Sequence, residues 1–210
     1  MKGFFKKDLY LILGGAKFYL FCILICMLPL GGIYAAGKTG MGFLGLYVML
    51  FVASTLLTLF NYDEQSGWGA YAAAVPGGRR AQVDARYLVA LAMTLVVMAL
   101  QGVMCLFSVV AAHGEEGQWA ILPLYAGMML IYIALLFPLT YRFGNKSRLI
   151  MIVLIVLIGS GFGASNVIAF TAGVKEPSFA AVGAVLLAIG AVAVAVSHRV
   201  SVAIVRRQEW

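Results

Sequence analysis

Apolar residues run through this chain in stretches of about membrane length, separated by short polar segments. A helix rising 1.5 Å per residue needs about 20 residues to cross roughly 30 Å of hydrocarbon. Stretches of that order lie near 17–36, 41–60, 87–112, 119–141, 149–171 and 178–198, so the pattern predicts six transmembrane helices. Ahead of them, MKGFFKKDLYLILGGA sets Phe5, Leu9 and Ile12 at helical spacing, with Lys2, Lys6 and Asp8 off that stripe and Gly14 and Gly15 ending it. This predicts an amphipathic helix over 1–16 that lies in the headgroup layer and turns up into the first span. A signal peptide would share the basic start, the apolar run and small residues such as Ala35 and Ala36. Lys17 interrupts the early run, however, and the apolar stretch beyond it is too long for a signal core. The predicted fold is all-α: one transmembrane domain over residues 1–210, an interfacial helix followed by six spans.

Composition strengthens this reading. The chain is 63% hydrophobic and only 11% charged, with a mean hydropathy of +1.00, which rules out an ordinary soluble domain. The cations then orient it. Lys2, Lys6, Lys7, Lys17, Arg79, Arg80, Arg86, Arg142, Lys146, Arg148, Arg199, Arg206 and Arg207 fall on one side of the spans, and only Lys38 and Lys175 on the other. Positive charge flanking a span resists translocation, so both termini and the segments 61–87 and 142–148 are expected in the cytosol. The net charge of +7 is thereby a membrane feature. It forms no basic patch with interleaved aromatics, and nucleic-acid binding is not expected.

The spans offer little chemistry. No Asp, Glu, Lys or Arg lies at mid-depth, so the chain lacks the buried ionisable group that ion-coupled pumps use. Gln101 and Asn166 are the most polar side chains deep in the spans; they either bond between helices or line a path. Cys22, Cys26 and Cys105 form no CxxC and have no histidine nearby, which points to neither disulfide nor metal. The segment 32–39, GIYAAGKT, satisfies the phosphate-loop spacing, but it joins two membrane-length runs instead of a strand and a helix, and Lys38 is on the outer side. Ser165 in GASN lacks a histidine at its depth, because His113 and His198 sit at opposite span ends, so a serine hydrolase is not expected. Small residues in GSGFGAS, with Gly159 and Gly163 four apart, and in FAAVGAVLLAIGAVAVAV predict close helix packing within the chain or against a second copy. No catalytic, cofactor or metal site is predicted. The outer connections, 37–40, 113–118 and 172–177, are too short for a cargo-binding domain.

One polar connection is far longer than the rest. Residues 61–87 read NYDEQSGWGAYAAAVPGGRRAQVDARY, and loops of such length in compact proteins are usually functional. Gln65–Ala74 reads as a short helix presenting Trp68 and Tyr71. Pro76 stops it, Gly77 and Gly78 permit a sharp turn, and a helix resumes from Ala81 into the third span.

Within that loop, Tyr62, Asp63, Glu64, Trp68, Pro76, Arg79, Val83, Arg86 and Tyr87 resemble the inner loop of small six-span permeases of the type-two ATP-binding-cassette exporter class. The opening MKGFFKKDLYL is similar to that family's start. Val75 stands where the family has Leu, and Gly77 with Gly78 replace a bulkier pair, a change expected to loosen the turn. The resemblance implies a bacterial cell-membrane subunit without its own ATPase. Its 61–87 loop would carry a coupling helix seated in a groove of a separate cytosolic ATPase, which holds ATP and magnesium. Two permeases, identical or not, would pair with two ATPases. On that reading Trp68 and Tyr71 anchor the groove, Asp63, Glu64 and Arg79 hold the loop or pair with the ATPase, and Arg86 with Tyr87 passes movement to the third span. An apolar, Met- and Phe-rich path suits an amphipathic peptide or lipophilic antibiotic. The other reading of such a loop is a membrane scaffold or sensor that recruits some different cytosolic protein.

Overall fold

The computed structural model of the protein describes residues 2–15, 54–112, 119, 121–144 and 179–207, and the regular structure among them is helical. The helices are α1 (Lys2–Gly14), α2 (residues 54–65), α3 (Trp68–Ala74), α4 (Gly78–Ala112), α5 (Ile121–Phe143) and α6 (Phe179–Arg207). Among the described residues, three segments are long and apolar enough to cross a membrane: Gly78–Val103, Leu122–Phe143 and Ala180–Arg207. They correspond to the expected third, fourth and sixth spans. The expected first and fifth spans, most of the second, the three outer connections and most of 142–148 lie outside the described residues. So do Cys22, Cys26, GIYAAGKT, His113, GSGFGAS, Ser165 and Asn166.

Backbone proximity orders the bundle. A Cβ added to Gly183 would lie 2.8 Å from the backbone of Leu124, one on Gly127 would lie 2.7 Å from that of Leu186, and one on Gly190 2.8 Å from Leu130. The paired numbers rise together, so α5 and α6 run parallel, in contact close enough that only glycine fits. The small residues of the expected sixth span therefore pack against α5 within the same chain, driven by close van der Waals contact where hydrophobicity offers no preference. α4 runs opposite to both. Tyr87, near its start, stacks edge-on against Phe137 near the end of α5, with ring centroids 4.5 Å apart. The Tyr87 hydroxyl also bonds Ser197 and Ser201 near the end of α6. α2 joins at the same end, its Phe60 packing edge-on to Phe137 and Tyr141. The buried core follows these contacts, with Leu56, Val83, Val97, Met129, Ile133 and Leu136 fully enclosed. The Cys105 thiol is buried in α4.

Three expectations change. Asp8 was expected outside the stripe of α1, yet it is only 2% exposed, while Leu9 of the expected stripe is exposed. Phe5 and Ile12 do pack on the core, so the inward face is turned by about one residue. Apolar residues are comfortable on the lipid side too, and a carboxylate with a cationic partner inside decides the rotation. The short helix, expected from Gln65, begins at Trp68, because α2 continues through residue 65. Likewise the third-span helix starts at Gly78 instead of Ala81.

Candidate functional site

The connection from α2 to α4 is two tight turns around one short helix. Ser66 N–H bonds Tyr62 O at 3.0 Å, and Gly67 N–H reaches Glu64 O at 3.4 Å. Gly67 then takes φ +65°, a left-handed conformation that ends α2 and serves as the N-cap of α3. After Ala74, Gly78 N–H bonds Val75 O at 2.9 Å. Pro76 and Gly77 occupy the middle of that turn, Gly77 with φ +67°, which is the residue order of a type II turn. A Cβ on Gly78 would meet Ala72 O at 2.3 Å. The two glycines that depart from the family pattern thus fix a close turn, contrary to the loosening expected of them.

Beneath this loop four charges are folded together. Arg86, at 1% exposure, is among the most deeply buried side chains of the described core. Its Nε lies 2.8 Å from Asp8 Oδ2, its Nη2 lies 3.3 Å from Asp8 Oδ1, and the same Nη2 also pairs with Asp63. Lys7 closes the ring, pairing with Asp63 and lying 3.2 Å from Asp8. Gln82 Nε2 donates to Asp63 at 3.1 Å, and the guanidinium rests 4.6 Å from the centre of the Phe60 ring. Two cations face two carboxylates, so the group is neutral as a set, the condition under which buried charge is tolerable. α1, α2 and α4 each contribute, and the cluster ties them at one end of the bundle.

Tyr87, one residue along α4, points the other way, toward α5 and α6. Its hydroxyl lies 2.6 Å from Ser197 Oγ and 3.0 Å from Ser201 Oγ, and its ring meets His198 edge-on at 5.0 Å. Arg86 and Tyr87 together therefore connect the first turns of α4 to four other helices. Val83 is fully buried and Arg79 half-buried. Glu64 approaches the end of α5, its carboxylate 3.2 Å from where a Cβ on Gly144 would stand.

The two aromatic residues of α3 divide. Trp68 turns inward, with Lys7 4.6 Å over its ring and Phe4 of α1 at 6.2 Å edge-on. Tyr71, 4.8 Å from Trp68, is 57% exposed and presents its ring to solvent. Gln101 is buried in α4, about 22 Å along the helix from Arg86 at 1.5 Å per residue. It stands apart from the loop, and its Nε2 has no hydrogen-bond partner among the described residues. Sequence reasoning singled out Asp63, Trp68, Arg86 and Tyr87, but missed Lys7, Asp8, Gln82, Ser197 and Ser201 as their partners. The spacing of Phe5, Asp8 and Ile12, three and four residues apart, was the signal that places Asp8 on the inner face of α1. Among the described residues no cluster of His, Cys, Asp or Glu is arranged to hold a metal ion.

The arrangement suits mechanical coupling. Lys7, Asp8, Asp63 and Arg86 are paired with one another. A family model described as "ABC-2 family transporter protein" matches residues 3–206. No curated protein and no solved structure matches the chain.

Proposed function

Since the chain belongs to the ABC-2 transporter family as a membrane component, we propose that it is one permease half of an ATP-driven exporter in a bacterial cell membrane. Residues 61–87 seat it on a separate cytosolic ATPase, which binds the ATP and magnesium. Two ATPases serve a pair of permeases, either two copies of this chain or this chain with a relative. The observation that carries the reading is the way α3 is mounted. It is a seven-residue helix with an exposed Tyr71, slung between left-handed glycines and tied inward through Trp68 to α1 and through Ala72, whose carbonyl oxygen crowds Gly78, to the start of α4. A partner that grips Tyr71 and moves between two states would displace α1 and α4 together. Such coupling requires different contacts in the two states. Exposed aromatic side chains are also the residues that dominate protein interfaces once covered.

The end of the bundle that carries Lys7, Arg79, Arg86, Arg142 and Arg206 is taken as cytosolic, in line with the bias of cations to that side. Gln101, with Asn166 on the expected fifth span, contributes the polar positions of the path. The cargo is an amphipathic peptide or a lipophilic antibiotic entering from the membrane, a reading supported by the apolar spans.

Tyr71→Ala, co-expressed with a candidate ATPase from a neighbouring reading frame, tests the docking. Recruitment of the ATPase and cargo export are expected to fall at least tenfold, the effect of losing one interface anchor of about 1.4 kcal/mol or more. The thermal midpoint of the isolated chain should stay unchanged. Undiminished recruitment overturns the docking assignment. Recruitment of a protein that is no ATPase, without export, replaces it with a membrane scaffold or sensor.

A further inference from the structure

A second feature at the same end of the bundle shares Arg80 with the 61–87 segment but opens against α6. A cleft of about 310 Å³ opens between the first turns of α4 and the last turns of α6, lined by Arg80, His198, Arg199, Val202 and Arg206. The carboxylate beside it, Asp84, is already engaged twice, by His198 Nε2 at 2.8 Å and by Arg80 Nε at 3.8 Å. Arg199 and Arg206 have no ion-pair partner among the described residues. The Asp8, Asp63, Lys7 and Arg86 group is neutral in itself and offers the cleft no counter-charge. An excess of positive charge therefore remains in a concave place.

What lies above the arginines decides the kind of anion. Val192 and Val196 precede Arg199 by seven and three residues, and Arg206 follows it by seven, so all four share one face of α6. Val185, Ile189, Val192 and Val196 are exposed among the described residues. From Val185 to Arg199 this apolar strip is about 21 Å long at 1.5 Å per residue, enough to span one leaflet of roughly 15 Å of hydrocarbon. It ends at guanidinium groups whose paired N–H donors match phosphate oxygens. Basic pockets between transmembrane helices at the membrane surface take anionic headgroups for this reason.

We propose that the α4–α6 cleft binds the phosphate headgroup of an anionic phospholipid from the adjoining leaflet, with an acyl chain along the exposed strip of α6. Arg199 and Arg206 grip the phosphate, Arg80 closes over it from α4, and Val202 floors the cleft. The bound lipid then bridges the two helix ends that Tyr87 and His198 already join from the inside.

The test uses the full chain in nanodiscs of mixed phosphatidylglycerol and phosphatidylcholine, with retained lipids counted by native mass spectrometry. The native chain should retain phosphatidylglycerol preferentially. The double variant Arg199→Gln/Arg206→Gln should lose about thirtyfold of that preference, from roughly fivefold per arginine near an anionic surface. A control with the same charge change outside the cleft, Arg142→Gln/Arg207→Gln, should keep it. Equal preference in the native chain and the cleft variant overturns the proposal, as does an equal loss in the control. Inorganic phosphate stabilising the chain in neutral-lipid discs as strongly as phosphatidylglycerol overturns it in favour of a soluble anion. Loss of ATPase recruitment in the cleft variant with lipid preference intact overturns it in favour of a protein contact.

Discussion

Arg86 is a charge that its position in the sequence places at a membrane surface and that the fold places inside. Its worth comes from two carboxylates on two other helices, Asp8 at 2.8 Å and Asp63. Removing one member of a buried ion group leaves the others uncompensated, at a cost of about 3–5 kcal/mol. Arg86→Gln is therefore expected to lower the thermal midpoint of the purified chain sharply, as read by unfolding in detergent. Arg86→Lys should restore only part of the loss, because a single ammonium on a flexible stem cannot hold two carboxylates from separate nitrogens. Tyr87→Phe is a milder case. It leaves the ring on Phe137 but strips the hydroxyl shared by Ser197 and Ser201, and a loss of about 1–2 kcal/mol is expected in the same measurement. Arg86, Asp63 and Tyr87 were legible in the sequence because they sit in a spaced motif. Asp8 was not, since a lone carboxylate on a basic helix reads as solvated until its partner, 78 residues away, is known.

At the scale of elements, the turns around α3 were legible as positions and illegible as geometry. Pro76 and the glycines mark where the chain bends, but no pattern of residue types reveals that Gly77 takes φ +67° or that Gly78 lies under Ala72 O. That is why α4 begins at Gly78, three residues before it was expected, while α3 begins late because α2 runs on through residue 65. Gly77→Ala forces a side chain into the left-handed region at about 1–2 kcal/mol, and Gly78→Ala pushes a methyl against backbone. Both should detach α3 from α4. Hydrogen exchange across Trp68–Ala74 is expected to quicken while exchange within Ile121–Phe143 stays unchanged; equal protection of α3 in the variants would show that the turn tolerates a side chain. The glycines of α6 give the complementary case. Their crowding was anticipated from composition, but the partner was not, because small residues announce that something comes close without saying what. Gly127→Val should separate α5 from α6, since its added atoms meet the Leu186 backbone, at a cost of about 1–3 kcal/mol for overpacking.

For the whole molecule, hydrophobic periodicity carries less information in lipid than in water, because the outside of the bundle is as apolar as its inside. Exposed Leu95, Val103, Val192 and Val196 are as greasy as buried Val97 and Leu136. Directions along the bundle are better determined, and they lead to the last prediction. α5 and α6 run parallel, so Phe143, which ends α5, stands at one end of the bundle and Phe179, which begins α6, at the other. The end that gathers Phe143 and Arg207 also holds Asp63, Arg86 and, through α3, Tyr71. Cysteines introduced at Tyr71 and Arg207, in a chain whose own Cys22, Cys26 and Cys105 are replaced by alanine, should therefore react with a membrane-impermeant maleimide from the same side of oriented vesicles. A cysteine at Trp119, two residues before α5 begins at the opposite end, should react only from the other. The proposed function takes that shared side as the cytosol, from the cation bias of the sequence. Labelling of Tyr71→Cys and Arg207→Cys from opposite faces would require α6 to be inverted against α4. The Tyr87 bonds to Ser197 and Ser201 could not then form, and a movement of the loop would have no route through α4 into the last helix.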